Sequence, residues 1–78
     1  MDDTIKMMLS IDRRQRVKVL LNYLNIKQNA ISESYGISKP FVSMVVNGKE
    51  RSRDLEEFIT TLVRKKAKRW VSHKMLFG

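Results

Sequence analysis

The sequence has no cysteine, one proline, three glycines and one histidine. Without cysteine there is no disulfide framework and no thiolate metal site, and the chain suits a reducing compartment. A lone histidine, His73, provides no pair to bind a metal or relay a proton. Glu56 and Glu57 are neighbours in the chain, so on a helix they point in different directions. No glycine-rich loop that would cradle a phosphate is found. These absences speak against an enzyme, and no cofactor is expected. No apolar run approaches the roughly 20 residues of a membrane helix. The start is acidic at Asp2 and Asp3, unlike a secretory signal, so a cytoplasmic protein is the expectation. With 78 residues the chain is one domain at most, with little room for an enclosed active site or an effector pocket. No small-molecule ligand is expected.

Acidic residues are also scarce: 8 against 16 lysines and arginines, for a net charge of +8. Such an excess favours a polyanionic partner. It is unevenly placed. Arg64, Lys65, Lys66, Lys68, Arg69 and Lys74 have no acidic residue among them. Without these six, the remaining basic residues barely outnumber the acidic ones. Charge alone therefore does not locate a recognition surface.

Hydrophobic residues make up 42% and charged residues 31%, as in a folded domain rather than a disordered chain. There is no internal repeat and no alternating run that calls for a strand. A first helix is expected over 11–24, capped by Ser10 or Asp12, with Val17, Leu20, Leu21 and Leu24 forming its apolar stripe. Arg13, Arg14, Arg16 and Lys18 fall largely off that stripe. Asn25 ends it, since asparagine tolerates the left-handed conformation. A short second helix fits 28–34, with Ala30 and Ile31 inward. Gly36 follows, where a left-handed residue costs least. Ser38 offers an N-cap and Pro40 falls within the first turn of a third helix, where a missing amide donor costs nothing. Phe41, Val42, Val45 and Val46 are β-prone, but the Ser-Lys-Pro start and the i, i+3 apolar pair favour helix. That helix stops at Asn47-Gly48. A basic loop, 49–53, leads to a fourth helix capped by Ser52. Leu55, Ile59, Leu62 and Val63 line its inner face, Phe58 flanks it, and it extends through Arg69 to Trp70 or beyond. The division expected is an N-terminal segment, 1–9, a folded unit, 10–70, and a tail, 71–78. Ile5, Met8 and Leu9 have helical spacing, which leaves both a short docked turn and a frayed end open.

Residues 28–48 read QNAISESYGISKPFVSMVVNG. Ile31 stands five residues before Gly36, where an apolar side chain packs under a turn. Ser32 is small, as two closely crossing helices require. Gly36 turns sharply, Ile37 plugs the corner, and Val42 and Val45 hold the next helix to the core. The segment resembles the helix-turn-helix of the lambda repressor and Cro family of phage and bacterial regulators. It departs from that family's usual alanine at Ser32 and its usual serine or threonine cap at Lys27. The resemblance implies a compact all-α domain of four to five helices that binds double-stranded DNA. It also implies a small transcriptional regulator of phage or mobile-element type, such as a repressor, acting as a homodimer in a bacterial cell or phage-infected host.

Under that resemblance the third helix enters the major groove and the second crosses the backbone. Helical geometry turns Lys39, Pro40, Ser43, Met44 and Asn47 away from the Val42 and Val45 face, with Ser38 at the helix start. Lys39 can donate to guanine O6 and N7, and Ser43 can donate or accept. Pro40 and Met44 make only apolar contacts. By resemblance Gln28 binds a phosphate from the second helix, and Asn47, Lys49, Arg51 and Arg53 bind phosphates from the following loop. Two of these side chains also have a plainer reading: Lys39 as a solvated lysine and Met44 as idle surface. The 64–69 cations are either a helix end favoured by the dipole or a source of non-specific DNA attraction. Phe41 packs on the domain. Trp70, Met75, Leu76 and Phe77 either fold back on the core or form a dimer contact, and the second is slightly preferred. Two other functions compete: a DNA-binding module of a packaging, recombination or partition assembly, and a protein-interaction module. A membrane role is weaker, for lack of a free amphipathic helix.

Overall fold

A computed structural model describes residue 6 and residues 10–78 of the chain. The expectations for Ile5, Met8 and Leu9 lie outside the described residues, as do the side chains of Arg13 and Arg14. The architecture is all-α. Among the described residues five helices are delimited, in order: α1, Arg13–Tyr23; α2, Gln28–Tyr35; α3, Lys39–Val46; α4, Arg53–Ala67; and α5, His73–Phe77. Among the described residues, no helix is long and apolar enough to cross a membrane.

The apolar spacing of α1 buries Val17, Leu20 and Leu21, while Leu24 packs at the core edge. Asn25 then takes a left-handed backbone, φ 59°, which lets the Ile26 N–H reach back to Leu21 O at 2.8 Å. Helix α2 begins after Lys27, which makes no side-chain cap. It buries Ile31 completely. Ala30, expected inward, is exposed. Successive helical residues are about 100° apart, so aiming Ile31 at the core turns Ala30 outward.

The α2–α3 connection is residues 36–38. Gly36 sits at φ 79°, a conformation that costs a residue with a Cβ roughly 1–2 kcal/mol. Ser32 fixes the turn with three hydrogen bonds: its carbonyl accepts the Gly36 and Ile37 N–H groups, and its hydroxyl donates to Ile37 O. A small side chain with a donor is thus put to use at the crossing point. Ser38 occupies the N-cap position of α3, but its side chain makes no cap bond. Helix α3 is held instead by Val42, Val45 and Val46, all buried.

Helix α4 buries Leu55, Ile59 and Val63, with Leu62 and Phe58 only partly covered. Ser52 precedes it without a side-chain cap bond. The acidic Asp54 and Glu56 lie in its first turn and Arg64, Lys65 and Lys66 in its last, each sign at the favourable end of the dipole. The helix stops at Lys68, left-handed at φ 56°, so the expected extension to Trp70 does not occur. The Arg64 Nε–H donates to Val71 O at 2.6 Å and fixes the reversal that follows.

The tail is part of the core. Val71 and Leu76 are buried, and Met75 and Phe77 pack against the same cluster. Ser72 caps α5 by accepting the Met75 N–H. Helix α5 packs on α1 and α4. Arg16, largely off the apolar stripe of α1, is nevertheless half-buried. It donates from Nη1 to Met75 O at 2.8 Å and from Nη2 to Ile11 O at 3.2 Å. Of the four residues given the two alternatives, Met75, Leu76 and Phe77 fold back on the core, against the slight preference for a dimer contact, whereas Trp70 stays 71% exposed. A single turn of helix is not stable alone, so burial of Leu76 is what keeps α5 formed. Leu76→Ala is expected to cost about 2–5 kcal/mol, the usual range for emptying a core leucine site. Urea unfolding checks this, and a loss well under 1 kcal/mol would remove the tail from the core.

Candidate nucleic-acid interface

Helix α3 has two unlike faces. Val42, Val45 and Val46 are inside, so the opposite side must carry what lies between them. Lys39, Pro40 and Met44 are exposed and Ser43 is half-buried. Met44 is a large apolar side chain left 40% exposed. Gln28, the first residue of α2, is half-buried, while Ser38, Lys49 and Arg53 are exposed. Phe41 packs against the core.

Two residues expected to bind phosphate are engaged inside the protein. The Asn47 side-chain amide donates to Ser43 O at 2.8 Å and to Ser43 Oγ at 3.2 Å. It thus acts as a cap for the end of α3, and its remaining oxygen is an acceptor, which cannot bond to a phosphate oxygen. The Arg51 Nε–H and Nη2–H donate to the two Glu56 carboxylate oxygens at 2.9 and 3.2 Å. Arg51 keeps 66% of its side chain in solvent, so only its unpaired edge faces outward. Arg53 makes a looser pair with Glu57 at 3.7 Å, both side chains exposed; such pairs contribute little.

A shallow depression collects residues from separate elements: Gln15 of α1 with Asn47, Gly48 and Lys49 beyond α3. Gln15 was not singled out from the sequence, where nothing marks it beyond its position in the first turn of α1. Gly48 at φ 75° makes the bend that carries Lys49 here, and the Lys49 N–H returns to Met44 O at 2.8 Å.

Behind this surface lies a buried carboxylate. Glu56 has a side chain only 2% exposed. Besides Arg51, it accepts the Ser52 N–H at 3.1 Å and meets His73 Nε2 at 2.7 Å. Burial pushes the carboxyl pKa up. The hydrogen bonds from Arg51, His73 and the Ser52 N–H, with the Arg51 charge, outweigh that and hold it below the ordinary carboxylate value. An ionised carboxylate only accepts, so His73 Nε2 is the donor. The same pairing raises the Arg51 pKa. The signal available in the sequence was a charge on the inner face of α4, three residues before Ile59 and seven before Val63.

No family model matches the chain, and neither the curated proteins nor the solved structures contain a match.

Because the Glu56 pKa is lowered on folding, its contribution is complete above the ordinary carboxylate value of about 4.3. It is lost as pH falls through the lower, folded value. The thermal midpoint is therefore expected to drop with acidification below about pH 4. Glu56→Gln should lower stability at neutral pH by about 1–3 kcal/mol, as for hydrogen bonds to a charged group, and flatten the acid limb. A variant with an unchanged acid limb would rule out Glu56 as its source.

Proposed function

We propose that the chain binds double-stranded DNA sequence-specifically through α2 and α3, as a regulator of transcription. The observation that carries this reading is the outward row of exposed Lys39, Pro40 and Met44 and half-buried Ser43 on a helix whose other side is pinned to the core. In this reading α3 enters the major groove and Lys39 and Ser43 bond base edges. Met44 and Pro40 touch apolar groups such as a thymine methyl. Gln28, Ser38, Lys49 and Arg53 bind phosphates and fix the register. Asn47 and Arg51 are positioning residues: one ends α3 and the other holds the loop that follows. The assignment to a phage-type or mobile-element regulator, working in the cytoplasm, rests on the likeness of residues 28–48 to the lambda repressor and Cro family. Two copies on two half-sites would add specificity. Since Val71, Met75, Leu76 and Phe77 are taken up by the monomer, such a dimer must use other surface or form on the DNA.

One observation favours a second reading. On α3 only Lys39 and Ser43 offer hydrogen bonds to base edges, at about 1–3 kcal/mol for each good base contact, and Ser43 Oγ already accepts from the Asn47 side chain at 3.2 Å. That is little for a regulator and enough for a DNA-docking module of an assembly.

Selection of bound duplexes from a random pool at two salt concentrations separates them. A regulator should return an inverted repeat with half-sites about one helical turn apart. A flat pool whose retention collapses with salt means phosphate-driven docking. Lys39→Ala should relax base preference at one position, by about 5- to 100-fold in relative affinity. Lys49→Ala should weaken all duplexes alike. A Lys39→Ala pool identical to the parent would overturn the assignment of α3 as reader.

A further inference from the structure

Trp70 is the largest apolar side chain at the described surface and is 71% exposed. It is not loose. The Arg64 guanidinium carbon lies 4.0 Å from the indole centroid, over one face, and Arg64 is itself anchored by its bond to Val71 O. Val71, the next residue, is buried. The indole is thus fixed between a cation on one side and a core anchor behind, with its other face in solvent. Lys68 and Arg69, immediately before it, are exposed. The left-handed turn at Lys68 is what brings the chain off the helix axis here.

We propose that this end of α4 is a second nucleic-acid contact, at which the open face of Trp70 stacks on an unpaired base of a single strand. A flat aromatic surface beside cations matches what a single strand offers, a π-face on a phosphate chain. Arg64 strengthens the platform by stacking on the rear face. A base in a duplex has both faces covered by its neighbours, so duplex DNA meets Trp70 only at its edge. A second copy of the chain is disfavoured as occupant, because Arg64, Lys68 and Arg69 would face the same cations. A lipid surface is disfavoured because the adjacent apolar residue, Val71, is buried and leaves the indole alone. The contact is independent of α3: it stands or falls without the duplex reading.

Trp70 is the only tryptophan, so its emission reports the contact directly. The full chain is titrated with a single-stranded oligothymidine, a closed circular duplex without ends and vesicles rich in anionic lipid, at one salt concentration. Quenching by the single strand and not by the duplex is expected. Trp70→Ala should weaken single-strand binding, read by anisotropy of a labelled strand, by about 5- to 100-fold, as for loss of one base stack. Duplex affinity should stay unchanged, and Trp70→Phe should retain most single-strand affinity. Equal affinities of parent and Trp70→Ala for the single strand would overturn the proposal. So would an equal loss on both nucleic acids, a blue shift with vesicles alone, or a concentration-dependent shift without any ligand.

Discussion

The Glu56 carboxylate is the point on which the rest of the arrangement depends. A charge with a side chain 2% exposed survives in the core only when its oxygens are satisfied. Three groups from two parts of the chain satisfy them: the Arg51 side chain and Ser52 amide in the loop between α3 and α4, and His73 at the start of α5. The same carboxylate therefore sets where α3 hands over to α4 and where the tail returns. An apolar residue there would fill the space without specifying either. Thr60 completes the local order by donating from Oγ1 to Glu56 O at 2.8 Å.

Apolar packing supplies the other half of the constraint. Among the described residues, twelve buried hydrophobic side chains drawn from α1 to α5 and the Val71 turn form one cluster. At about 1.5–3 kcal/mol for a fully buried aliphatic side chain, each is worth a large fraction of a small domain's net stability. Arg16 closes the α1–α5 edge of the cluster through two carbonyls. Its Nε is buried without a hydrogen-bond partner. A guanidinium was accepted there to satisfy Met75 O, although one donor stays unmet.

Sequence reading succeeded where the constraint is local. Asn25, Gly36 and Gly48 take the left-handed backbone that their residue types favour, and the three- and four-residue spacing of Val17, Leu20, Leu21 and of Leu55, Ile59 and Val63 marked the inner faces. It failed where the cause is distant in the chain. Lys68 turns left-handed with no glycine or asparagine to announce it, because Arg64 captures Val71 O. The tail looked like an interface because its burial depends on α1 and α4. Glu56 and His73 are 17 residues apart, and no periodicity links them. For the candidate site, the outward row on α3 was legible from helical geometry. The internal use of Asn47 and Arg51 was not, since their donors could equally have pointed to solvent.

The two kinds of cation are used differently. Among the described side chains, Arg16, Arg51 and Arg64 hold carbonyls, a carboxylate and an indole, and Arg53 pairs with Glu57. All the described lysines are exposed. Guanidinium groups suit fixed, planar, bidentate tasks, whereas an ammonium is a hydrated point charge on a flexible stem. The outward field is thus carried mainly by lysine. Lysine neutralises phosphates well but reads base edges with less geometric precision than a bidentate arginine. On the DNA-binding reading, each phosphate contact would add about 0.9 to the slope of log affinity against log salt. Affinity would then be strongly salt-dependent, while discrimination would hang on the few base-facing side chains of α3. Adding lysines would tighten binding to every sequence alike; only a change at Lys39, Ser43 or Met44 would alter which sequence is preferred.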